Sequence, residues 1–96
     1  MGGVIDRALE AMRAKFADGF EGSAKFVIGS EGAVMVDEAG VRATGDEPAQ
    51  VTLTAETETF RAILEGELSP TIAFMTGRLT VEGDMGLALR LANRMG

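Results

Sequence analysis

Ninety-six residues, 46% of them hydrophobic, allow one domain with one core, and a chain of this length buries about two thirds of its unfolded surface without covalent staples. Cysteine and histidine are both absent, which excludes disulfides, thiolate metal sites, cysteine nucleophiles and the commonest general base. A net charge of −6 argues against nucleic acid and against docking on anionic lipid by charge.

Residues 4–17 predict an amphipathic helix: Ile5, Leu9, Met12 and Phe16 recur on one face with Ala8, and Asp6, Arg7, Glu10 and Arg13 fall mainly on the other. Asp18-Gly19 ends it, with Gly19 suited to the left-handed position past a helix end. From 21 to 55 the period changes to two. Gly22–Gly29 alternates Ala24, Phe26 and Ile28 against Ser23, Lys25 and Val27, and Gly29-Ser30-Glu31-Gly32 reads as a turn. Ala33–Asp37 is a second strand and Val41–Thr44 a third, separated by a turn at Glu38-Ala39-Gly40. Gly45-Asp46-Glu47-Pro48 breaks the chain before a fourth strand, Gln50–Ala55, in which Val51, Leu53 and Ala55 share a face. Short strands joined by Gly-rich turns predict an antiparallel meander with one packed and one polar face.

The helical period then returns. Phe60, Ile63 and Leu64 mark a helix over about 57–66, closed by Gly66. Ser69-Pro70 opens a brief helix that Gly77 stops, and Arg78–Glu82 alternates as one more strand. Gly83-Asp84 turns into the last helix, with Asp84 as its cap. That helix carries Met85, Leu87, Ala88, Leu89, Leu91, Ala92 and Met95 over most of its circumference. No repeat, linker or low-complexity tract interrupts the chain, so the expectation is a single domain over 1–96 with helices segregated to one face of a sheet, an α+β fold. No apolar run approaches the ~18 residues of a membrane span, and the first sixteen residues lack the basic-then-apolar pattern of a signal peptide. The expected product is soluble and intracellular.

Catalytic constellations fail largely on inventory. Ser23, Ser30 and Ser69 lie at a strand start, a turn and a cap, and only Lys15 or Lys25 could serve them as a base. The carboxylate pairs Asp37-Glu38 and Asp46-Glu47 fall in predicted turns, where solvation is expected to keep ordinary acidities. Glu56 and Glu58 suit a helix start electrostatically. Gly83-Asp84-Met85-Gly86 lacks the Lys-Ser/Thr of a phosphate loop, and an acyl carrier is excluded because no Asp-Ser pair exists. With no Trp or Tyr but five Phe and six Met, the core is aliphatic, aromatic and pliable. The last helix leaves two explanations open: burial between the sheet and its neighbours, or one side lining an internal cavity.

From Gln50 onward the chain resembles the sterol carrier protein type 2 family, small lipid-binding domains found fused to peroxisomal enzymes or standing alone in bacteria. The resemblance runs through Val51-Thr52-Leu53-Thr54, Phe60 with Ile63-Leu64-Glu65-Gly66, and Leu68-Ser69-Pro70. Its specific part is Ala73-Phe74-Met75-Thr76-Gly77-Arg78-Leu79 followed by Val81-Glu82-Gly83-Asp84-Met85-Gly86-Leu87-Ala88-Leu89. Residues 1–49 match in element order only. The resemblance implies a five-stranded, mainly antiparallel sheet with helices packed on one face and an apolar tunnel between. It implies binding of sterol-like lipids, fatty acids or fatty acyl-CoA without metal, cofactor or catalytic residue. The implied lining is Phe74, Met75, Leu79, Val81, Met85 and Leu89, with Ile63 and Leu64 beneath and Leu9, Met12 and Phe16 from the first helix. Arg78 and Thr76 form the candidate polar lip.

Asn93-Arg94-Met95-Gly96 is not a peroxisomal address, so a cytoplasmic bacterial protein is expected. Family members that extend further cover the tunnel mouth with a tail, so the cavity here is expected to be more open or smaller. The implied mechanism is passive transfer of a lipid at a membrane or an enzyme; the alternative is an accessory subunit of a lipid or isoprenoid-quinone biosynthetic complex with the same fold.

Overall fold

The computed structural model describes residues 3–45 and 47–95. The expected turn at Gly45–Pro48 therefore contains one residue, Asp46, that lies outside the described residues, as does Gly96 of the C-terminal tetrapeptide.

Helix α1 spans Val4–Lys15, shorter at its end than the expected 4–17, because Phe16 closes it by donating its amide to the Met12 carbonyl at 2.8 Å. Gly19 follows at φ +80° and lies so close to the Glu38 carbonyl that a Cβ there would meet the oxygen at 2.8 Å. This close approach seats the end of α1 on the turn between the second and third strands. Met12 and Phe16 become fully buried against the sheet.

Strands β1 (Ala24–Ile28), β2 (Gly32–Asp37) and β3 (Gly40–Thr44) form the expected antiparallel meander. Strand β4 (Val51–Ala55) does not continue it. It returns across the sheet and pairs parallel with β1, in register Ala24↔Val51 through Ile28↔Ala55, giving the order β3-β2-β1-β4-β5. The expectation of a four-strand meander is thus corrected to three strands plus a crossover. A meander would leave β1 on an edge, yet Ala24, Phe26 and Ile28 are almost wholly buried and belong at the centre. A local clamp sets the parallel register. The Ser23 amide donates to Gln50 Oε1 at 3.0 Å, the Gln50 amide to Ser23 Oγ at 2.9 Å, and the Val51 amide to the Ser23 carbonyl.

Helices α2 (Thr57–Leu64) and α3 (Pro70–Met75) connect β4 to β5 (Leu79–Gly83), which pairs antiparallel with β4. Helix α2 stops at Leu64 rather than 66 because the chain turns through Gly66 at φ +80°. Pro70 occupies the first position of α3, as its fixed φ favours. Helix α4 (Met85–Met95) starts on Asp84, whose Oδ1 accepts the Leu87 amide at 3.1 Å. Asp84→Ala is expected to cost about 1 kcal/mol, lowering Tm by about 4–8 °C; a thermal melt followed by circular dichroism checks it.

The result is a five-stranded mixed sheet, open rather than closed, with its helices on one face: the α+β fold implied by the resemblance. The other face was expected to be simply polar. It also buries Met35 from β2, flanked in register by Lys25 and Arg42. The charged ends of both neighbours reach Glu47: Lys25 Nζ donates to its carbonyl and Arg42 Nη2 to its carboxylate.

Candidate functional site

The sheet lays two aligned rows of side chains on its helix-facing side. Phe26, Leu53 and Val81 share one register across β1, β4 and β5, and Ile28, Ala55 and Leu79 share the next. Above the β4–β5 half the covering helices do not close completely. A cleft of about 110 Å³ remains. Phe26, Leu53, Leu79 and Val81 make its floor, and Phe60 and Ile63 of α2 close one side. Pro70, Thr71 and Phe74 of α3 face Met85, Ala88, Leu89, Ala92 and Met95 of α4 across it.

Among the described residues no lining residue carries a charge, and Thr71 is the one with a polar side chain. The cleft can therefore desolvate an apolar group and offers no acid, base or nucleophile to one. Its mouth is marked by Phe74 (46% exposed), Met85 (48%) and Leu89 (67%), large apolar side chains that a closed core would bury. The tunnel implied by the resemblance takes the form here of an open-sided cleft.

The two explanations for α4 now separate. Leu87, Ala88, Leu91 and Met95 are buried, while Met85 and Leu89 stand on the side turned to the cleft mouth. A helix apolar on both its core side and its cavity side reads as apolar nearly all round.

The other candidates distribute as follows. Ile63, Phe74, Leu79, Val81, Met85 and Leu89 line the cleft. Met12 and Phe16 lie in the packed core, with Leu9 half-buried against it. Leu64 faces a separate groove between α1 and α2. Met75 points outward, 76% exposed. The Thr76 hydroxyl donates to the Ile72 carbonyl at 2.9 Å and finishes α3 locally. Arg78 is exposed immediately before Leu79 of the floor.

Phe26, Leu53, Phe60 and Ala88 were not singled out as lining. For Phe60 a signal existed, since it sits three residues before Ile63. Phe26 and Leu53 become neighbours of the cleft only through the parallel β1–β4 crossover.

The polar candidates have structural roles. Ser23 belongs to the Gln50 clamp, and Ser30 lies in the β1–β2 turn. Glu47 departs from the ordinary acidity expected of it. Its hydrogen bonds from Arg42 and then from the Thr44 hydroxyl hold the carboxyl below the usual range. Glu47 and then Asp37 in turn raise the Arg42 guanidinium above its ordinary value. A carboxylate so held keeps its charge and is a poor proton donor near neutrality.

The model of the SCP-2 sterol transfer family matches residues 7–96. The chain is 31% identical over 98 residues to Sterol carrier protein 2 of Homo sapiens, covering 93% of this chain and 18% of that protein. It is 43% identical over 61 residues to Hydroxysteroid dehydrogenase-like protein 2 of Danio rerio, covering 62% of this chain and 15% of that protein. The chain thus spans less than a fifth of the length of either relative. Among solved structures, Sterol Carrier Protein-2 from Aedes aegypti in complex with palmitate superposes with a TM-score of 0.80 at 21% identity, covering 100% of this chain and 97% of that one. The sterol carrier protein domain 2 of Helicoverpa armigera gives 0.76 at 22% identity, with coverage of 96% and 85%. At these identities the structural likeness is one of fold. No described helix is long and apolar enough to cross a membrane.

Proposed function

We propose, since the chain belongs to the SCP-2 sterol transfer family, that residues 1–96 act as one non-catalytic lipid-binding unit whose cleft takes the apolar part of a fatty acid, fatty acyl-CoA or sterol-like ligand. The observation that carries this reading is the cleft itself: a lining without charge, opening through exposed Phe74, Met85 and Leu89. Palmitate in the Aedes aegypti protein of the same fold supports an acyl chain as ligand.

Full burial of a chain of about fifteen methylenes would gain roughly 12 kcal/mol at ~0.8 kcal/mol each, against at least ~4 kcal/mol for association and ordering, so micromolar binding requires the protein to bury most of the chain. Specificity is low, because apolar burial discriminates weakly between chains that differ by one methylene. Arg78, exposed next to the floor residue Leu79, is proposed as a cation for a carboxylate or CoA phosphate, with Thr76 as a second polar group. The setting proposed is the cytoplasm of a bacterium, with transient contact to a membrane or an enzyme for delivery.

A second reading has one observation in its favour. About 110 Å³ is less than a cavity of about 150 Å³ that holds a benzene, so in this conformation the cleft admits only part of a lipid. An accessory subunit of a lipid or isoprenoid-quinone biosynthetic complex, with the cleft collapsed on itself, fits that size.

Native mass spectrometry of freshly purified protein, with organic extraction and then titration with palmitate, separates the two. A bound lipid near one-to-one, or palmitate uptake at micromolar concentration, is the expected result. A bare protein mass that palmitate, palmitoyl-CoA and a sterol all leave unchanged overturns lipid carriage in favour of the accessory reading.

A further inference from the structure

A second cavity, of about 250 Å³, lies between α1 and α2. Its floor is apolar, with Val4, Ala8 and Ala11 from α1 facing Ile28 and Leu64. The charges on its α2 rim are tied to one another, since Arg61 pairs with Glu58 at 3.0 Å and with Glu65 at 2.9 Å. Among the described residues only Phe60 lines both this groove and the cleft.

Helix geometry explains the partition. Residues three and four apart lie on either side of a helical row, and here Ile63 at i+3 faces the cleft while Leu64 at i+4 faces the groove. Phe60 stands between them, 2% exposed, its ring edge-on to Phe26 with centroids 5.8 Å apart. Phe60 is therefore the side chain whose displacement would join the two cavities.

We propose that Phe60 is a movable partition, and that a long acyl chain entering at the cleft mouth displaces it and runs on into the α1–α2 groove, which thereby sets the chain length accepted. This rests on the lipid-binding reading above and deepens it. The cleft alone is too small for a sixteen-carbon chain; the groove supplies an apolar floor for the remainder, and the polar end stays at the mouth.

The test is chain-length dependence of binding, measured with saturated fatty acids of eight and sixteen carbons. Ala11→Trp places an indole in the groove from the α1 side, and Leu64→Trp does so from α2, providing an independent block if one variant fails to fold; circular dichroism melts establish which are native. The folded block variants are expected to lose tenfold or more in affinity for the sixteen-carbon acid and to keep that for the eight-carbon acid. Phe60→Leu, which thins the partition, is expected to widen the preference for the longer chain. If a folded block variant binds both acids as the parent does, or loses both equally, the groove is not part of the channel and the inference falls while lipid binding stands. If the parent binds neither acid, the inference falls as well, and the lipid-binding reading falls with it only if palmitoyl-CoA and a sterol also fail to bind.

Discussion

Ala88→Phe is expected to lower palmitate affinity about hundredfold while leaving the fold intact. Ala88 lies on α4, 8% exposed, and lines the cleft. A phenyl ring there occupies the space that the first methylenes of a chain would take. Losing room for about four methylenes at ~0.8 kcal/mol each removes roughly 3 kcal/mol, and every ~1.4 kcal/mol is tenfold in affinity. Enlarging a residue in a filled core costs about 1–3 kcal/mol. Here the ring enters open space, so the change in stability is expected within about 1 kcal/mol. Isothermal titration with palmitate and a thermal melt read the two quantities separately. Asn93→Ala, on the exposed part of the same helix and away from the cleft, is the control that leaves both unchanged. Unchanged palmitate affinity in folded Ala88→Phe would place the ligand elsewhere.

Gly83→Ala is expected to be the most damaging single-atom change to the fold. Gly83 sits at φ +108°, where an L side chain is strained at about 1–3 kcal/mol. A Cβ there would also fall onto the Gln50 carbonyl oxygen and lie 3.0 Å from the Val51 Cα. That carbonyl accepts the Asp84 amide at 2.9 Å, so the junction holds three things at once: the end of β5, the start of β4 and the cap of α4. A loss of at least ~3 kcal/mol is expected, lowering Tm by more than about 12 °C at roughly 4–8 °C per kcal/mol. Gly40→Ala separates the two causes. Gly40 has a comparable φ of +119°, but nothing lies within 4 Å of an added Cβ, so it should show the conformational strain without the collision. Equal melting temperatures for the two variants would refute the steric explanation.

The function proposed for the cleft rests on how little polarity reaches it. Charges in this chain are at the periphery: Arg42 with Asp37 and Glu47 on the far face of the sheet, Arg61 with its glutamates on the outside of α2, Arg90 with Glu21. Exposed pairs of this kind contribute little to stability. Their placement nonetheless leaves the α3–α4 side as an apolar surface on a chain of net charge −6. A carrier that exchanges ligand by transient contact needs such an opening, and one that relied on charge to reach an anionic membrane would need the opposite sign.

Much of this was legible in the residues. The helical period of Ile5, Leu9 and Met12, the two-residue alternation of Ala24, Phe26 and Ile28, the Ser69-Pro70 start and the Asp84 cap are local signals, because they depend on neighbours within one turn or one strand. All of them correspond to elements at nearly those bounds. The excess of apolar residues on α4 left burial and cavity lining as competing explanations, and the helix has both a buried set and a cleft-lining set. Ile63, Phe74, Leu79, Val81, Met85 and Leu89 were identified through the family resemblance and stand together around the cleft.

Tertiary structure decided the rest. A strand's alternation says which face is buried and nothing about which strand is beside it, so the parallel return of β4 to β1 was invisible, and with it the row Phe26, Leu53 and Val81 on the cleft floor. For the same reason Leu9, Met12 and Phe16, apolar on the correct face of α1, could not be distinguished from cleft lining until α1 was seen to cover β2 and β3. Local periodicity determined the elements and their buried faces; the pairing of distant segments determined which of those faces close into core and which are left apart as a cavity.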